Sequence, residues 1–240
     1  MSRGILLFAI NTKDRSYVNM ATYCSLQIKK YLNLPVTIVT NGKVNSEYFD
    51  KVIDTTVTEN QIRLISGKTE DWKNFNRYRA YELSPYDETI LMDIDYICNS
   101  DKLLQLFDLN QDFLCHKTRR YLGSKFETTV EHYGKNYEMY WATIIYFKKN
   151  STTKSVFEMI KTIQDNYLHY SRIYKFSSTP YRNDFALSIA LNTVYGHNIP
   201  SYVEIPWTLM NVEFDTEVDL VDDIWTIKFN MKHKGKLRIT

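Results

Sequence analysis

The sequence is poor in cysteine and glycine, and each shortage excludes a class of site. Its three cysteines, Cys24, Cys98 and Cys115, are odd in number and have neither CxxC nor metal-type spacing. This excludes a disulfide framework and a cysteine-zinc cluster, and it predicts reduced core thiols. Gly4 is the only glycine before Gly42, so no glycine-rich phosphate loop follows the first apolar run.

Long apolar runs and a strong net charge are also absent. No apolar run could cross a bilayer, and the first ten residues lack the basic region and cleavage site of a signal peptide. We therefore expect a soluble, cytoplasmic protein. The 30 Lys and Arg nearly balance the 28 Asp and Glu, so the whole molecule has no electrostatic attraction toward nucleic acid or membrane. Only 7 Gly, 19 Tyr and abundant Asn, Ile and Lys hint at an AT-rich, viral (phage) genome.

The chain is long enough for one sizeable core. Of its 240 residues, 44% are hydrophobic and 15% aromatic, and we predict a single domain over residues 1–240. Charge is unevenly distributed, because no Lys or Arg lies between Arg182 and Lys228. The segment 226–240 is then a basic tail, with Lys228, Lys232, Lys234, Lys236 and Arg238.

Short apolar runs alternate with segments of helical spacing. Strands are predicted at Ile5–Ile10, Val36–Val39, Lys51–Val57, Thr89–Met92, Phe113–Cys115, Thr143–Phe147, Tyr202–Ile205 and Trp225–Phe229. Helices are predicted at Val18–Leu32, Trp72–Leu83, Ser100–Phe107, Ser151–Tyr167 and Arg182–Val194. This alternation is typical of an α/β fold with a central, mostly parallel sheet flanked by helices.

The stretch LMDIDYI places two aspartates at the end of a predicted strand. Alternate side chains of an extended segment point the same way, so Asp93 and Asp95 should face one point while Ile94 packs behind them. Two carboxylates suit Mg²⁺ or Mn²⁺, and ligands of open α/β sheets bind beyond the carboxyl ends of strands. The alternative is that the pair is merely the polar end of a strand.

The longer stretch RYRAYELSPYDETILMDIDYI, from Arg77 to Ile97, resembles the GT-A type of glycosyltransferase. Within that type it is similar to the retaining glycogenin and bacterial lipopolysaccharide galactosyltransferase group, in which a basic residue opens a helix and an apolar strand runs into D-x-D. ILLFAIN and LPVTIVTNG match the first two strands. The resemblance implies a single Rossmann-like GT-A domain, with a nucleotide-binding half at 1–100 and an acceptor half at 101–225.

The resemblance also implies roles for residues in the first half. Ala9, Ile10 and Asn11 would cradle the base and ribose of the donor. Arg77 would contact the diphosphate or donor sugar, with Arg79 as a substitute, unless both lie on a solvated helix face. Asp93 would contact ribose and metal, and Asp95 would coordinate the metal directly.

Two stretches of the second half resemble the group less closely. In YWATIIYF, Trp141 and Thr143 replace the Asn and Gly of the pattern, and Trp141 fits either a sugar-stacking wall or the core. In RNDFALSIAL, Asn183 and Asp184 fall on an Asp-Gln pair, with Leu187 and Ser188 following in register. Asp184 would then lie beside the anomeric carbon of the donor; the alternative is that Asn183 or Asp184 caps a helix.

The tail KFNMKHKGKLRI admits two registers. The resemblance implies, in one register, that His233 would bind the metal and Lys236 the diphosphate, although the spacing is one residue short and Pro-Trp is missing. In the other register Lys228 would replace the histidine and the metal would lose a protein ligand. Either register places cations near the leaving group, and a solvated tail is the alternative. The other histidines, His116, His132, His169 and His197, have no partner spacing and fit ordinary core or surface positions.

The resemblance implies a metal-dependent glycosyltransferase that moves a sugar from a nucleoside diphosphate donor, a UDP-sugar, with retention of configuration. Mn²⁺ or Mg²⁺ would stabilise the leaving diphosphate, and Asp184 would steady the sugar ring or act as nucleophile. The acceptor stays open among a glycan, a protein, a lipid-linked acceptor and a modified base of phage DNA, the last contacted by Lys117, Arg119, Arg120 and the tail. A sugar nucleotidyltransferase or phosphotransferase and a non-catalytic nucleotide-sugar-binding module are the alternatives.

Overall fold

A computed structural model describes residues 1–13, 16–55, 61–65, 68–72, 74–122, 129–130, 132–133, 137–176, 181–212 and 237–239. The strands are Arg3–Ala9 (β1), Val36–Thr40 (β2), Lys51–Asp54 (β3), Gln61–Ile65 (β4), Lys68–Trp72 (β5), Glu88–Met92 (β6), Tyr96–Ile97 (β7), Phe113–His116 (β8), Thr118–Leu122 (β9), Thr129–Val130 (β10), His132–Tyr133 (β11), Tyr137–Glu138 (β12), Trp141–Lys148 (β13), Leu209–Val212 (β14) and Leu237–Ile239 (β15). The α-helices are Tyr17–Leu32 (α1), Ala80–Leu83 (α2), Ser151–Asp165 (α3), Tyr167–Ile173 (α4) and Asn183–Val194 (α5), and 3₁₀ segments cover Ser46–Tyr48, Asn74–Arg79, Lys102–Phe107 and Ser201–Val203.

The central sheet has six strands in the order β3-β2-β1-β6-β13-β8. β3, β2, β1 and β6 pair in parallel, whereas β13 is antiparallel to both β6 and β8. β8 therefore runs in the same direction as β6, and five of the six strands end at one edge. The α/β fold with a central, mostly parallel sheet flanked by helices is confirmed.

Both faces of this sheet are covered, as its continuous apolar strands require. Neighbouring residues of β13 point to opposite faces. Tyr146 meets the ring of Phe107 from the Lys102–Phe107 segment at 5.5 Å, while Phe147 meets Phe157 of α3 at 4.9 Å. Asp93 directly follows β6 and therefore lies at the carboxyl edge of the sheet, between these layers.

Local signals explain where the long helices begin and end. α1 buries Val18, Ala21, Ser25, Ile28 and Leu32, the face that the spacing predicts, and it ends at Asn33 in the left-handed region (φ 51°) ahead of Pro35. α3 begins with a capping box, in which the Asn150 side chain accepts from Thr153 N at 2.9 Å and Thr153 Oγ1 accepts from Asn150 N at 3.2 Å.

A second sheet of five strands has the order β10-β9-β14-β15-β7. Its strand β15 comes from the far end of the chain and lies between β14 and β7. β15 is parallel to β7, with Arg238 opposite Tyr96 and Ile239 opposite Ile97. Since β7 starts directly after Asp95, the last strand of the chain lies beside the aspartate pair.

Some predicted elements are wrong in type or extent. The helix expected at Trp72–Leu83 is a 3₁₀ segment followed by a single turn of α-helix, and Trp72 belongs to β5. The strand expected at Tyr202–Ile205 is a 3₁₀ turn after Pro200 with one bridge, Cys115 to Glu204. α3 stops at Asp165 because Asn166 leaves helical geometry (φ −119°, ψ 31°), and Tyr167 opens α4. The strand expected at Trp225–Phe229 lies outside the described residues.

Candidate active site

The aspartate pair lies at the carboxyl end of β6, but not on an extended segment. β6 ends at Met92, and Tyr96 N donates to Asp93 O at 3.2 Å, which closes a turn over Ile94 and Asp95. The extended geometry expected for this pair is therefore wrong. Asp93 N donates to Thr143 O at 2.9 Å, so the turn is held against the first residues of β13.

Arg77 lies directly against this turn. It is buried, with 5% of its surface exposed, and its Nη1 donates to Asp93 Oδ1 in an ion pair. Its Nε and Nη2 are buried and have no hydrogen-bond partner among the described residues. Arg77 is thus not on a solvated helix face. Two of its nitrogens, with three N–H groups between them, therefore lack an acceptor among the described residues, and they lie in the planar arrangement that matches the oxygens of a phosphate.

Arg79 points elsewhere, although it is only two residues away. Its Nη2 forms an ion pair of 3.2 Å with Glu82 Oε1, and about a third of its side chain is exposed. It lines a surface cavity of about 270 Å³ between the Asn74–Arg79 segment and α3, together with Tyr78, Tyr81, Glu82, Lys154, Phe157, Glu158 and Lys161. The structure therefore brings Arg77, and not Arg79, to the aspartate turn.

The end of β1 reaches the same edge. Leu7 pairs with Met92, so Ala9, Ile10 and Asn11 follow at the level of the aspartate turn. The side chains of Ala9 and Ile10 are buried. Contact with the base and ribose of a donor, the role that the resemblance implies, would therefore be made by their backbone groups. A ligand at this end of β1 would therefore meet main chain before it met these two side chains.

Asn11 holds the loop after β1 in place. Asn11 N donates to Asn41 Oδ1 at 2.8 Å, and Asn41 Nδ2 donates back to Asn11 O at 3.1 Å. Asn11 Oδ1 accepts from Val18 N at 3.1 Å and so satisfies one free amide at the start of α1. Both backbone groups of Asn11 and its side-chain oxygen are used within the protein.

Asp184 joins α5 to the first residues of β13. Its Oδ1 accepts from Ala142 N at 2.9 Å, and its Oδ2 accepts from Arg182 Nη2 at 2.8 Å. Ser188, one turn later, accepts from Tyr140 N at 2.8 Å. No side chain caps α5 at Arg182, its N-cap residue. Asp184 lies in the first helical turn, two residues after the N-cap, and its Oδ1 bond crosses to β13 while its Oδ2 bond stays with Arg182.

These contacts place Asp184 and Asp93 at one edge. Ala142 and Thr143 are adjacent, and each bonds to one of the two aspartates. Trp141, just before them, is buried and packs under Arg119, whose guanidinium carbon lies 4.1 Å from its ring centroid. Of the two interpretations of Trp141, the structure places it in the core, with its indole Nε1 buried and without a hydrogen-bond partner in the described part of the chain.

His116 ends β8 at the same edge, and sequence reasoning assigned it no role. It is 1% exposed, and its Nδ1 lies 3.1 Å from Trp207 O. Burial, with Lys102 nearby, lowers the pKa of His116 to about 3. One signal in the sequence could have identified His116: it ends the apolar run FLCH, just as Asp93 ends the apolar run LMD.

The cations expected to meet DNA are mostly engaged within the protein. Lys117 Nζ forms a 2.8 Å ion pair with Glu138, and Arg119 is buried against Trp141. Of the three, Arg120 is the exposed one. This arrangement offers little free positive charge to a phosphate backbone.

The tail residues His233 and Lys236, and the alternative Lys228, lie outside the described residues. Within the described ranges, no group of three or more His, Cys, Asp and Glu side chains could hold a metal ion. The site that can be built from the described part is therefore the Asp93–Asp95 turn with Arg77.

The three cysteines are free and buried. Burial raises the pKa of the Cys98 thiol to about 12, so this thiol is protonated and unreactive at neutral pH. None of the described helices is both long and apolar enough to cross a membrane.

No protein-family model matches the sequence, and no curated protein matches it. Several solved structures resemble the chain. The glycosyltransferase GlyE of Streptococcus pneumoniae TIGR4 matches 86% of this chain and 46% of its own length (14% identity, TM-score 0.47). An active-site mutant of LgtC matches 80% of this chain and 70% of its own length, with 14% identity and a TM-score of 0.48. Mouse xyloside xylosyltransferase 1 matches 82% of this chain and 83% of its own length, with 10% identity and a TM-score of 0.49.

The chain spans less than half of the length of GlyE. Enzymes of another chemistry also match, among them a putative glucose-1-phosphate thymidylyltransferase from Bacillus anthracis.

Proposed function

We propose that this chain is a metal-dependent glycosyltransferase that transfers a sugar from a nucleoside diphosphate donor, a UDP-sugar, to a hydroxyl acceptor with retention of configuration. The observation that carries the proposal is the buried Arg77, which bonds to Asp93 and keeps Nε and Nη2 unpartnered among the described residues at the carboxyl edge of the sheet. Buried hydrogen-bond donors of this kind require an acceptor, and a diphosphate supplies several acceptor oxygens.

The residues at this edge fit a divalent cation. Asp93 and Asp95 lie in one tight turn and offer hard carboxylate oxygens, and both are partly exposed. Mn²⁺ or Mg²⁺ bound there would act as a Lewis acid toward the diphosphate. β15 runs beside β7 and brings the end of the chain to this turn, which supports a role for His233 in holding the metal and for Lys236 in holding the diphosphate.

Breaking the bond at the anomeric carbon leaves positive charge on the sugar ring and an additional negative charge on the diphosphate. Arg77 is pre-positioned by Asp93 to donate to the leaving diphosphate oxygens, so little reorganisation is needed as the charge develops. Asp184 supplies negative charge on the β13 side of the edge, where we infer that it steadies the oxocarbenium-like ring. Ala9 and Ile10 would contact the base and ribose through the main chain at the end of β1, and Asn11, whose backbone groups are engaged, through its side-chain Nδ2.

The second candidate is a module that binds a nucleotide sugar without turning it over. One observation favours it: each Asp184 oxygen already accepts a hydrogen bond, from Ala142 N or from Arg182. A carboxylate so engaged is less free to act as nucleophile.

The acceptor is a glycan, a protein, a lipid-linked acceptor or a DNA base. Lys117 and Arg119 are engaged within the protein, which disfavours DNA as the acceptor. Three free, buried thiols fit the cytoplasm.

The test is incubation of the protein with a panel of nucleotide sugars and Mn²⁺, followed by measurement of the released nucleoside diphosphate. Wild type should hydrolyse one donor slowly, and Asp95→Ala should lose this activity. Asp108→Ala, at an exposed aspartate after the Lys102–Phe107 segment, is the matched control. Tight binding without release identifies the binding module; neither binding nor release contradicts both candidates.

A further inference from the structure

A surface cavity of about 270 Å³ lies between α3 and the chain from Asn74 to the end of α2. Arg77 and the two aspartates of the turn are not among the described residues that line it, so it is a site apart from the aspartate turn. Its volume is just below the roughly 300–1,000 Å³ of sites for drug-sized ligands. This cavity, which we call the α3 cavity, therefore has room for one ring system.

Aromatic rings form the apolar part of the α3 cavity. Phe157 is buried, and its ring centroid lies 6.2 Å from that of Tyr81. Tyr81 is held in place because its hydroxyl donates to Asn150 O at 3.1 Å, and Tyr78 adds a third, half-buried ring. Rings of this kind bind a flat ligand ring by stacking, and little ordering of the protein is needed where they are already fixed.

Charged side chains at the protein surface line the rest of the cavity. Arg79 Nη2 lies 3.2 Å from Glu82 Oε1, and Lys154 Nζ lies 3.6 Å from Glu158 Oε1. Exposed ion pairs of this kind contribute little to stability, so their members can turn to a ligand at small cost. The α3 cavity thus offers both positively charged donors and carboxylate acceptors.

Lys161 joins the charged part of the cavity to the aromatic part. Its Nζ lies over the Tyr78 ring, 5.8 Å from the centroid, and forms an exposed ion pair with Asp165. A ligand ring stacked on Tyr78 would therefore bring an attached anionic group close to Lys161. A lysine binds phosphate as a point charge.

A ligand of this cavity must suit both signs of charge. Phosphate alone would meet the carboxylates of Glu82 and Glu158 as well as the cations, and an uncharged ring would leave the cations unused. The exocyclic amino group of a nucleobase donates to a carboxylate, whereas the phosphate of a nucleotide accepts from Lys and Arg. A mononucleotide with an amino-substituted base combines both groups with a flat ring.

We propose that the α3 cavity binds a mononucleotide whose base carries an amino group, with the base against Tyr78 and Tyr81 and the phosphate at Lys161. The amino group donates to Glu82 or Glu158. This second nucleotide site does not depend on the proposed function, because it shares no described lining residue with the aspartate turn.

AMP and three related compounds test each part of the proposed ligand. We would titrate the full chain with AMP, adenosine, ribose 5-phosphate and IMP by isothermal titration calorimetry, with EDTA present to exclude metal-dependent binding at the aspartate turn. Adenosine lacks the phosphate, ribose 5-phosphate lacks the base, and IMP lacks the amino group.

Four variants locate the binding. Tyr78→Leu removes a stacking ring, Lys161→Gln removes a cation, and Asp95→Ala alters the aspartate turn instead. Lys30→Gln is the matched control, because Lys30 also lies over a tyrosine ring, that of Tyr31 at 4.8 Å, but belongs to α1 and not to the cavity. Circular dichroism checks that each variant folds.

We expect one AMP to bind per chain, with adenosine and ribose 5-phosphate at least about tenfold weaker and IMP at least about threefold weaker. Tyr78→Leu should weaken AMP binding about fivefold or more. Lys161→Gln should weaken AMP binding about threefold or more without changing that of adenosine. Lys30→Gln and Asp95→Ala should bind AMP as wild type does.

Equal binding of AMP and ribose 5-phosphate would overturn the proposal, because it would show only attraction of an anion to surface cations. Equal binding of AMP and adenosine, or of AMP and IMP, would overturn it as well, since the phosphate or the amino group would then have no part. Loss of AMP binding in Asp95→Ala would place AMP at the aspartate turn. Unchanged binding in both Tyr78→Leu and Lys161→Gln, or no AMP binding by wild type, would also contradict the proposal.

Discussion

At the scale of single residues, the site depends on how the Arg77 guanidinium is shared. One nitrogen holds Asp93, and two buried nitrogens have no partner among the described residues. We expect Arg77→Lys to weaken UDP binding about tenfold or more, because an ammonium keeps the charge but loses the planar pair of donors. Isothermal titration calorimetry with UDP and Mn²⁺ measures this.

Arg79→Lys provides the comparison for this prediction. Arg79 is partly exposed in an ion pair with Glu82, an interaction that typically contributes about 0–1 kcal/mol. We expect its substitution to leave UDP binding unchanged. If Arg79→Lys weakened binding and Arg77→Lys did not, the diphosphate contact would belong to Arg79.

Asp184 combines a structural contact with a proposed chemical role, and two substitutions distinguish them. Asparagine keeps an oxygen for Ala142 N, whereas Asp184→Ala leaves this N–H unpaired and should lower the free energy of unfolding by about 1–3 kcal/mol. We expect Asp184→Asn to unfold near the wild-type midpoint in urea but to hydrolyse the donor at least about tenfold more slowly. If Asp184→Asn hydrolysed the donor at the wild-type rate, Asp184 would have a structural role only.

At the scale of elements, β15 links the end of the chain to the aspartate turn. It supplies the backbone hydrogen bonds that join β14 to β7, which directly follows Asp95. We expect removal of residues 237–240 to abolish Mn²⁺-dependent UDP binding and to lower the melting temperature. Arg238→Ala is the control, because it keeps the backbone pairing of β15 and should therefore retain at least part of the UDP binding. Full UDP binding by the truncated chain would contradict a structural role for β15.

Elements with a strong local signal were predictable from the sequence. The apolar runs of β1, β2, β6 and β13 and the periodic face of α1 specify their own type, because burial on a sheet or helix imposes those patterns. The Trp72–Leu83 segment was assigned too much helix, since its spacing fits a 3₁₀ turn as well. The turn at Asp93–Tyr96 was missed because one hydrogen bond, and not the residue pattern, bends the chain there.

At the scale of the whole molecule, what the sequence could not supply is contact between distant segments. Asp184 and Ala142 are 42 residues apart, and β15 pairs with β7 across most of the chain. Neither pairing has a periodic signature, since each depends on where the packed elements place their edges. The sequence names Arg77 and Asp93 as candidates, but their contact across 16 residues is seen only in the structure.

Global stability should depend on pH through His116. Its pKa is lowered from 6.5 to about 3 in the folded protein, so below pH 6.5 the unfolded chain binds a proton that the folded chain does not. Stability is therefore greatest above pH 6.5 and falls by roughly 1.4 kcal/mol per pH unit toward pH 3 from this residue. Urea unfolding at pH 7.5, 6 and 5 measures the slope, which should be shallower in His116→Gln; an equal slope would mean that other groups set the dependence.

The central claim is that the Asp93–Asp95 turn binds a divalent cation together with a nucleoside diphosphate. Electron paramagnetic resonance of Mn²⁺ tests it directly, because the signal of free Mn²⁺ decreases when the ion is bound. In wild type, addition of UDP should remove about one equivalent of free Mn²⁺ per protein beyond what UDP alone removes, and Asp95→Asn should abolish this uptake while Asp108→Asn retains it. Equal uptake by Asp95→Asn and wild type, or none by wild type, would contradict the account.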